Sequence, residues 1–210
     1  MGVETCYSLV RAADAAGLAS VVRVPINAPS PILSYAETGA HGLIVPHVRC
    51  VEDAEQLVRS ARYMPRGNRG FFPSSRAANF GLTQTASEWA EADESQPVTI
   101  AMIEDVEAVD ALSEIMEVEG VDAFFIGPAD LAMSMGIQSG ATDSRVQASV
   151  RAVVQQLRLG DKTVGTTFSD AATGRQAAEL GARLLSTSVG GILAGAAKGV
   201  LAAMRAVKET

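Results

Sequence analysis

Six short apolar runs, separated by stretches of helical periodicity, set the strongest limit on the fold. They occupy residues 21–25, 42–46, 98–103, 121–126, 162–167 and 183–188. Nearly all lack alternation between apolar and polar positions, which is the pattern of parallel strands covered on both faces. Between them, apolar residues recur at spacings of three and four. One stripe is Ala54, Leu57, Val58 and Ala61, a second is Val106, Val109, Leu112 and Met116, and a third is Val146, Val150, Val153 and Leu157. Such spacing puts the side chains on one side of a helix. A repeated strand–helix order gives a parallel sheet with helical crossovers. The chain opens with a helix, residues 4–16, and shows six strands. A closed (β/α)8 barrel has eight strands and typically about 250 residues. An open six-stranded sheet and a barrel without its first two strands both satisfy the pattern.

The 210 residues suffice for one domain with a full core, and no repeat or low-complexity linker divides them, so residues 1–210 read as one unit. A net charge of −7 argues against a general nucleic-acid binder or a binder of anionic membranes, since both need a positive field. Residues 184–204 are apolar for about the length of a membrane span. They include Ser186, Thr187, Ser188, Gly190, Gly191 and Lys198, which reads as a strand followed by a small-residue helix and not as a span. Cys6 and Cys50 fit no metal or redox spacing, and with no signal peptide they suggest a reduced, cytoplasmic setting. Two stretches lack periodicity. Residues 64–82, rich in Arg, Gly, Ser and Pro, form either a functional loop or a surface excursion, and residues 134–142 form a Gly/Ser-rich loop.

In parallel α/β folds ligands bind at the carboxyl ends of the strands. The polar residues there are Arg23, His47, Glu104, Asp130, Thr166, Thr167 and Ser188. Glu104 and Asp130 end consecutive strands 26 residues apart, a spacing that suits one strand–helix–strand unit. Neighbouring carboxylates repel unless a cation lies between them, and a hard divalent ion such as Mg²⁺ or Mn²⁺ answers that need. Taken singly, each acid also reads as a helix-start residue. Taken together, with Arg23 at the same end, they define a site. Gly127-Pro128-Ala129 opens a helix whose first N–H groups are free for a carboxylate. Only three lysines are present, Lys162 at the amino end of its strand and Lys198 and Lys208 in or after the last helix, so a Schiff-base lysine is disfavoured. Nucleophile-elbow, P-loop and dinucleotide motifs are absent.

The segments VEGVDAFFIGPADLAMSMG, AMIEDVEAV and GLIVPHVRCVEDAEQLVRSARYMPRGNRG resemble the HpcH/HpaI aldolase family, and the likeness covers nearly the whole chain. It implies a (β/α)8 TIM barrel, here with about six of eight strands, and a class II aldolase. Such an enzyme uses a divalent metal (Mg²⁺, Mn²⁺ or Co²⁺) to cleave a 4-hydroxy-2-oxo acid to pyruvate and an aldehyde. The likeness assigns Glu104 and Asp130 as metal ligands and Arg23 as the contact to the pyruvate carbonyl oxygen. It places the pyruvate carboxylate on the start of the helix at Gly127, Pro128, Ala129 and Asp130. Two other family activities fit the same residues: a relative that binds metal or 2-oxo acid without turnover, and a citrate-synthase-like condensing enzyme.

Relatives begin with two further strands, the second ending in an acidic-His motif that includes the base. No segment before Met1 supplies them, so the expectation is either a shortened chain or a member without that base. His47, at the carboxyl end of its strand, is the candidate to stand in, His41 being at the amino end; otherwise His47 is a polar rim residue. Thr167, in VGTTF, stands where relatives often carry apolar residues and would alter the aldehyde pocket. Gly191, Gly195 and Gly199 at four-residue spacing suit close backbone packing. The likeness implies a C-terminal helix that takes part in subunit exchange, hence a homo-oligomer, hexameric or dimer-based.

Overall fold

The computed structural model describes residues 1–92 and 96–206; Lys208 lies outside them. Helix α1 (Val3–Ala15) leads into β1 (Val21–Arg23), α2 (Pro29–Ala36), β2 (Gly42–Val45) and α3 (Val51–Ala61). After a 3-10 turn at Asn79–Gly81 come α4 (Ala86–Glu91), β3 (Val98–Ile103), α5 (Val106–Asp110), α6 (Leu112–Ile115), β4 (Ala123–Ile126) and α7 (Pro128–Ser134). The chain continues through α8 (Ser144–Leu159), β5 (Thr163–Thr167), α9 (Ala171–Leu180), β6 (Leu184–Ser186) and α10 (Val189–Ala206). Local chemistry accounts for several boundaries. Proline opens α2 and α7, where no N–H is needed. Thr85 and Glu88 form a reciprocal capping box on α4. Gly181, at φ 107°, ends α9 in a left-handed turn that a side chain would strain.

All six strands are parallel and lie in the order β1-β2-β3-β4-β5-β6. The sheet curls into a half-barrel of the TIM type, with β1 and β6 at its edges. Leu43, Val45, Ala101, Ile103, Phe124 and Ile126 face outward into the large core beneath the helices. Ile44, Ile100, Met102, Ala123, Phe125 and Leu184 face inward and pack as a second, smaller cluster. The two faces alternate along each strand, so the runs have no polar positions to show.

One expectation from the periodicity is corrected. The stripe through Val106, Val109, Leu112 and Met116 is not a single helix. Ala111, at φ −90° and ψ 6°, leaves the helical region and separates α5 from α6. The phase shifts across that break, so Ala108, Leu112, Ile115 and Met116 are buried while Val109 is only partly so. Residues 64–82 are tied back to the helices beside the amino end of β2: Arg76 pairs with Asp14 and donates to the Thr38 carbonyl at 3.1 Å. Arg69 lies 4.6 Å over the Tyr63 ring. Among the described residues no helix is long and apolar enough to cross a membrane.

At the amino ends of β3 and β4 a buried arginine acts as a clamp. Arg62 donates to the Pro97 carbonyl (3.0 Å), Thr99 Oγ1 (3.2 Å), the Gly120 carbonyl (3.3 Å) and Asp122 Oδ2 (2.5 Å). Asp122 in turn accepts from the Thr99 amide at 2.7 Å. Removing the guanidinium would take a donor from four acceptors, of which the Pro97 carbonyl and Thr99 Oγ1 belong to buried residues. Arg62→Leu is expected to destabilise by about 3 kcal/mol in denaturant titration. Arg59→Leu, which removes an exposed helical ion pair to Glu55, should cost less than about 0.5 kcal/mol.

Candidate active site

The carboxyl end of β3 delivers Glu104 to the mouth of the half-barrel. Its side chain is fully buried, an uncommon place for a carboxylate. Because β1, β2 and β3 are adjacent and parallel, residues that end those strands converge on it. Arg23, the last residue of β1, reaches across β2. Its Nε lies 3.4 Å from Met102 Sδ and its NH2 group 3.6 Å from Glu104 Oε1. His47 follows β2 in a left-handed turn, at φ 55°. That conformation is costly for a residue with a Cβ. It directs the His47 amide at Glu104 Oε1, 3.1 Å away.

The imidazole Nδ1 of His47 lies 3.0 Å from Asp105 Oδ2 and 3.5 Å from Glu104 Oε1. Arg49 Nε reaches the same Asp105 oxygen at 3.3 Å. Asp105 is the residue at which α5 begins, so it and not Glu104 occupies the helix-start position. Glu104 is therefore left with no structural role as a cap.

The second carboxylate oxygen, Glu104 Oε2, is buried with no hydrogen-bond partner. A Cβ built on Gly127 would sit 3.1 Å from it and 2.7 Å from Met102 Cε, so the glycine keeps this side of the carboxylate open. Burial pushes the Glu104 carboxyl above the ordinary range. The His47 amide, Arg23 and His47 oppose that shift, and the Asp130 charge adds to it. The protein thus only partly compensates this carboxylate, and an added cation would complete the compensation. The oxygen-rich surroundings, with an orphaned buried carboxylate oxygen, fit a hard divalent ion.

Asp130 stands exposed in the first turn of α7, with Gly127 in the capping position. The first intrahelical bond is donated by Leu131 to the Gly127 carbonyl, so the amides of Ala129 and Asp130 precede the ladder. Thr166 is buried and donates to the Ile126 carbonyl at 3.3 Å, whereas Thr167 is exposed at the end of β5. Among the sequence candidates, Arg23, His47 and Glu104 are in direct contact, and Asp130 acts on Glu104 through its charge. Asp105 and Arg49 were not foreseen. The available signals were the acid directly after Glu104 and the arginine two positions after His47.

Two variants separate the parts of this site. Glu104→Gln removes a buried and poorly compensated charge while leaving an acceptor for the His47 amide. It is expected to abolish divalent-metal binding, measured by calorimetry, yet to raise the melting temperature of the metal-free protein at neutral pH. Gly127→Ala should keep the fold by circular dichroism and lower metal affinity at least about tenfold, because the methyl crowds Glu104 Oε2.

A model of the HpcH/HpaI aldolase/citrate lyase family matches residues 1–196. The chain is 33% identical over 170 residues to a hydroxypyruvate/pyruvate aldolase of Roseovarius nubinhibens, covering 80% of this chain and 65% of that protein. It is 32% identical over 190 residues to a 4-hydroxy-2-oxo-heptane-1,7-dioate aldolase of Escherichia coli, covering 90% of this chain and 72% of that one. The crystal structure of an HpcH/HpaI aldolase/citrate lyase family protein from Burkholderia cenocepacia superimposes with a TM-score of 0.88 at 30% identity, over 97% of this chain and 81% of that chain. The citrate synthase SbnG structure superimposes with a TM-score of 0.80 at 29% identity, over 100% of this chain and 81% of that one.

Proposed function

The chain belongs to the HpcH/HpaI aldolase/citrate lyase family, and on that premise we propose that it is a divalent-metal-assisted aldolase that splits a 4-hydroxy-2-oxo acid into pyruvate and an aldehyde. The observation that carries this reading is the buried Glu104 with one unpartnered oxygen, set beside Arg23 at the carboxyl end of the sheet.

As the C3–C4 bond breaks, the 4-hydroxyl proton leaves to solvent and C4 becomes the aldehyde; the bond's electron pair forms the pyruvate enolate, charged on the C2 oxygen, and a proton from solvent at C3 completes pyruvate. What the site must do is stabilise charge growing on that C2 oxygen. The half-exposed guanidinium of Arg23 is anchored at Met102 and Glu104, with its remaining donors available to that oxygen. A divalent ion held by Glu104 and Asp130 would supply a Lewis acid at the same oxygen. The amides of Ala129 and Asp130, after Gly127-Pro128, would receive the substrate carboxylate. Thr167 would line the aldehyde side. His47 is not given the role of base in this scheme. Its ring is tied to Asp105 and lies beside Glu104, which makes it a neighbour of the carboxylates.

The likeness to the citrate synthase SbnG favours a second reading, a condensing enzyme built on the same enolate-stabilising residues. A third is a member that binds metal and 2-oxo acid without turnover. An assay of pyruvate release from 4-hydroxy-2-oxo acids, with and without Mn²⁺, separates them. The aldolase reading expects release that Mn²⁺ stimulates and a chelator abolishes, with kcat lowered about a hundredfold or more in Arg23→Ala. Citrate formation without pyruvate release supports the second reading. Metal binding without either product supports the third.

The homo-oligomer is part of the same proposal. Every residue of α10 whose burial is described is exposed, including Val189, Ile192, Leu193, Val200, Leu201 and Met204. An apolar helix of 18 residues left in water calls for a partner surface, and a second copy of this chain is the partner proposed. Multi-angle light scattering is expected to give a dimer or a multiple of it; a stable 21.8 kDa species would contradict this. With two free thiols and no metal spacing between them, a cytoplasmic location fits the reading.

A further inference from the structure

The mouth holds more donor atoms than a seat of two carboxylates uses. His47, Glu104 and Asp105 each offer one ligand atom, and the three atoms lie within 4.8 Å of one another. Among the described residues this is the one group of three His, Cys, Asp or Glu side chains so placed. The individual spacings carry the argument. Two ligands about 2.1 Å from a common ion are about 3.0 Å apart at a right angle and about 3.4 Å apart at the tetrahedral angle. His47 Nδ1 is 3.0 Å from Asp105 Oδ2 and 3.5 Å from Glu104 Oε1. These are the separations of neighbouring corners of a coordination shell.

Such a group could be only a hydrogen-bonded rim, but the carboxylate at its centre points to a cation. Glu104 is fully buried, and beside the Oε1 that faces His47 and Arg23 its other oxygen, Oε2, has no hydrogen-bond partner. Arg49, which occupies one Asp105 oxygen, has a half-exposed side chain and can move into solvent when an ion takes that oxygen.

We propose that His47, together with Asp105, joins Glu104 in ligating the metal, so that the ion in this chain has an imidazole nitrogen in its first coordination sphere. The proposal rests on the metal-dependent reading above. Its chemical consequence is selectivity. Carboxylate and water suit Mg²⁺, whereas an added imidazole moves preference toward Co²⁺, Zn²⁺ and the other later divalent ions. The left-handed turn at His47 gains a purpose as well: it places the amide on Glu104 and the ring on the same side.

The test uses the full chain loaded with Mn²⁺ and, separately, with Co²⁺ or Mg²⁺. The variant His47→Asn keeps a residue tolerant of a positive φ while removing the imidazole, and circular dichroism confirms its fold. Electron spin-echo spectra of bound Mn²⁺ are expected to show coupling to an imidazole ¹⁴N in the unaltered protein and none in His47→Asn. Co²⁺ affinity should fall at least about tenfold in that variant, with Mg²⁺ affinity changing less than about threefold. Asp105→Asn should weaken Co²⁺ in the same direction. Bound Mn²⁺ without ¹⁴N coupling, or equal Co²⁺ affinity in His47→Asn, overturns the inference and leaves the metal-dependent reading standing. A protein that binds none of these ions overturns both.

Discussion

A single buried carboxylate organises this molecule. Glu104 stands at the end of β3 with its side chain wholly inside the protein, and burial alone would make its charge costly. Three features lower that cost in part: the His47 amide, the Arg23 guanidinium and the His47 ring. They come from two strand ends, Arg23 from β1 and His47 from just after β2, and the parallel order β1-β2-β3 is what brings them to Glu104. The Gly127 backbone leaves room on the remaining side. The fold therefore maintains an incompletely neutralised charge in a fixed place, which is a natural arrangement for a site that binds a cation and stabilises an oxyanion.

The two ends of the sheet differ in how completely their polar groups are paired. At the amino ends Arg62 closes its hydrogen bonds on Thr99, Gly120, Pro97 and Asp122, and the polar groups satisfy one another. At the carboxyl ends the corresponding cation, Arg23, is half exposed and makes only loose contacts. Strand β3 joins the two clusters, with Thr99 in the clamp and Glu104 just past its carboxyl end, so the closed clamp ties β3 to β4 while the other end stays open. This is the division of labour found between the two faces of a TIM barrel.

Much of this was legible in the sequence because the strands are short, apolar and bounded by polar residues. Glu104 follows an apolar run directly, Arg23 lies within one and Asp130 stands four positions after another, and the rule that ligands bind at carboxyl strand ends picks them out as candidates. The cluster of His47, Asp105 and Arg49 was harder to read. Asp105 looks like a helix-start residue, which it also is, and its neighbours come from the loop after β2, more than fifty positions away in the chain. Nothing in the sequence announces that His47 takes a left-handed conformation. The break at Ala111 was hidden for a similar reason: alanine is a good helix former, and its identity does not mark a departure from the helical region. The apolar length of α10 was visible, but its complete exposure is a property of the folded chain.

The account turns on whether Glu104 is the centre of a metal site. Anomalous diffraction from crystals of the protein grown with Mn²⁺ tests that most directly. The account predicts a peak at coordinating distance from a Glu104 carboxylate oxygen, absent in Glu104→Gln crystals. Mn²⁺ bound elsewhere, with Glu104 untouched in a saturated crystal, would contradict it.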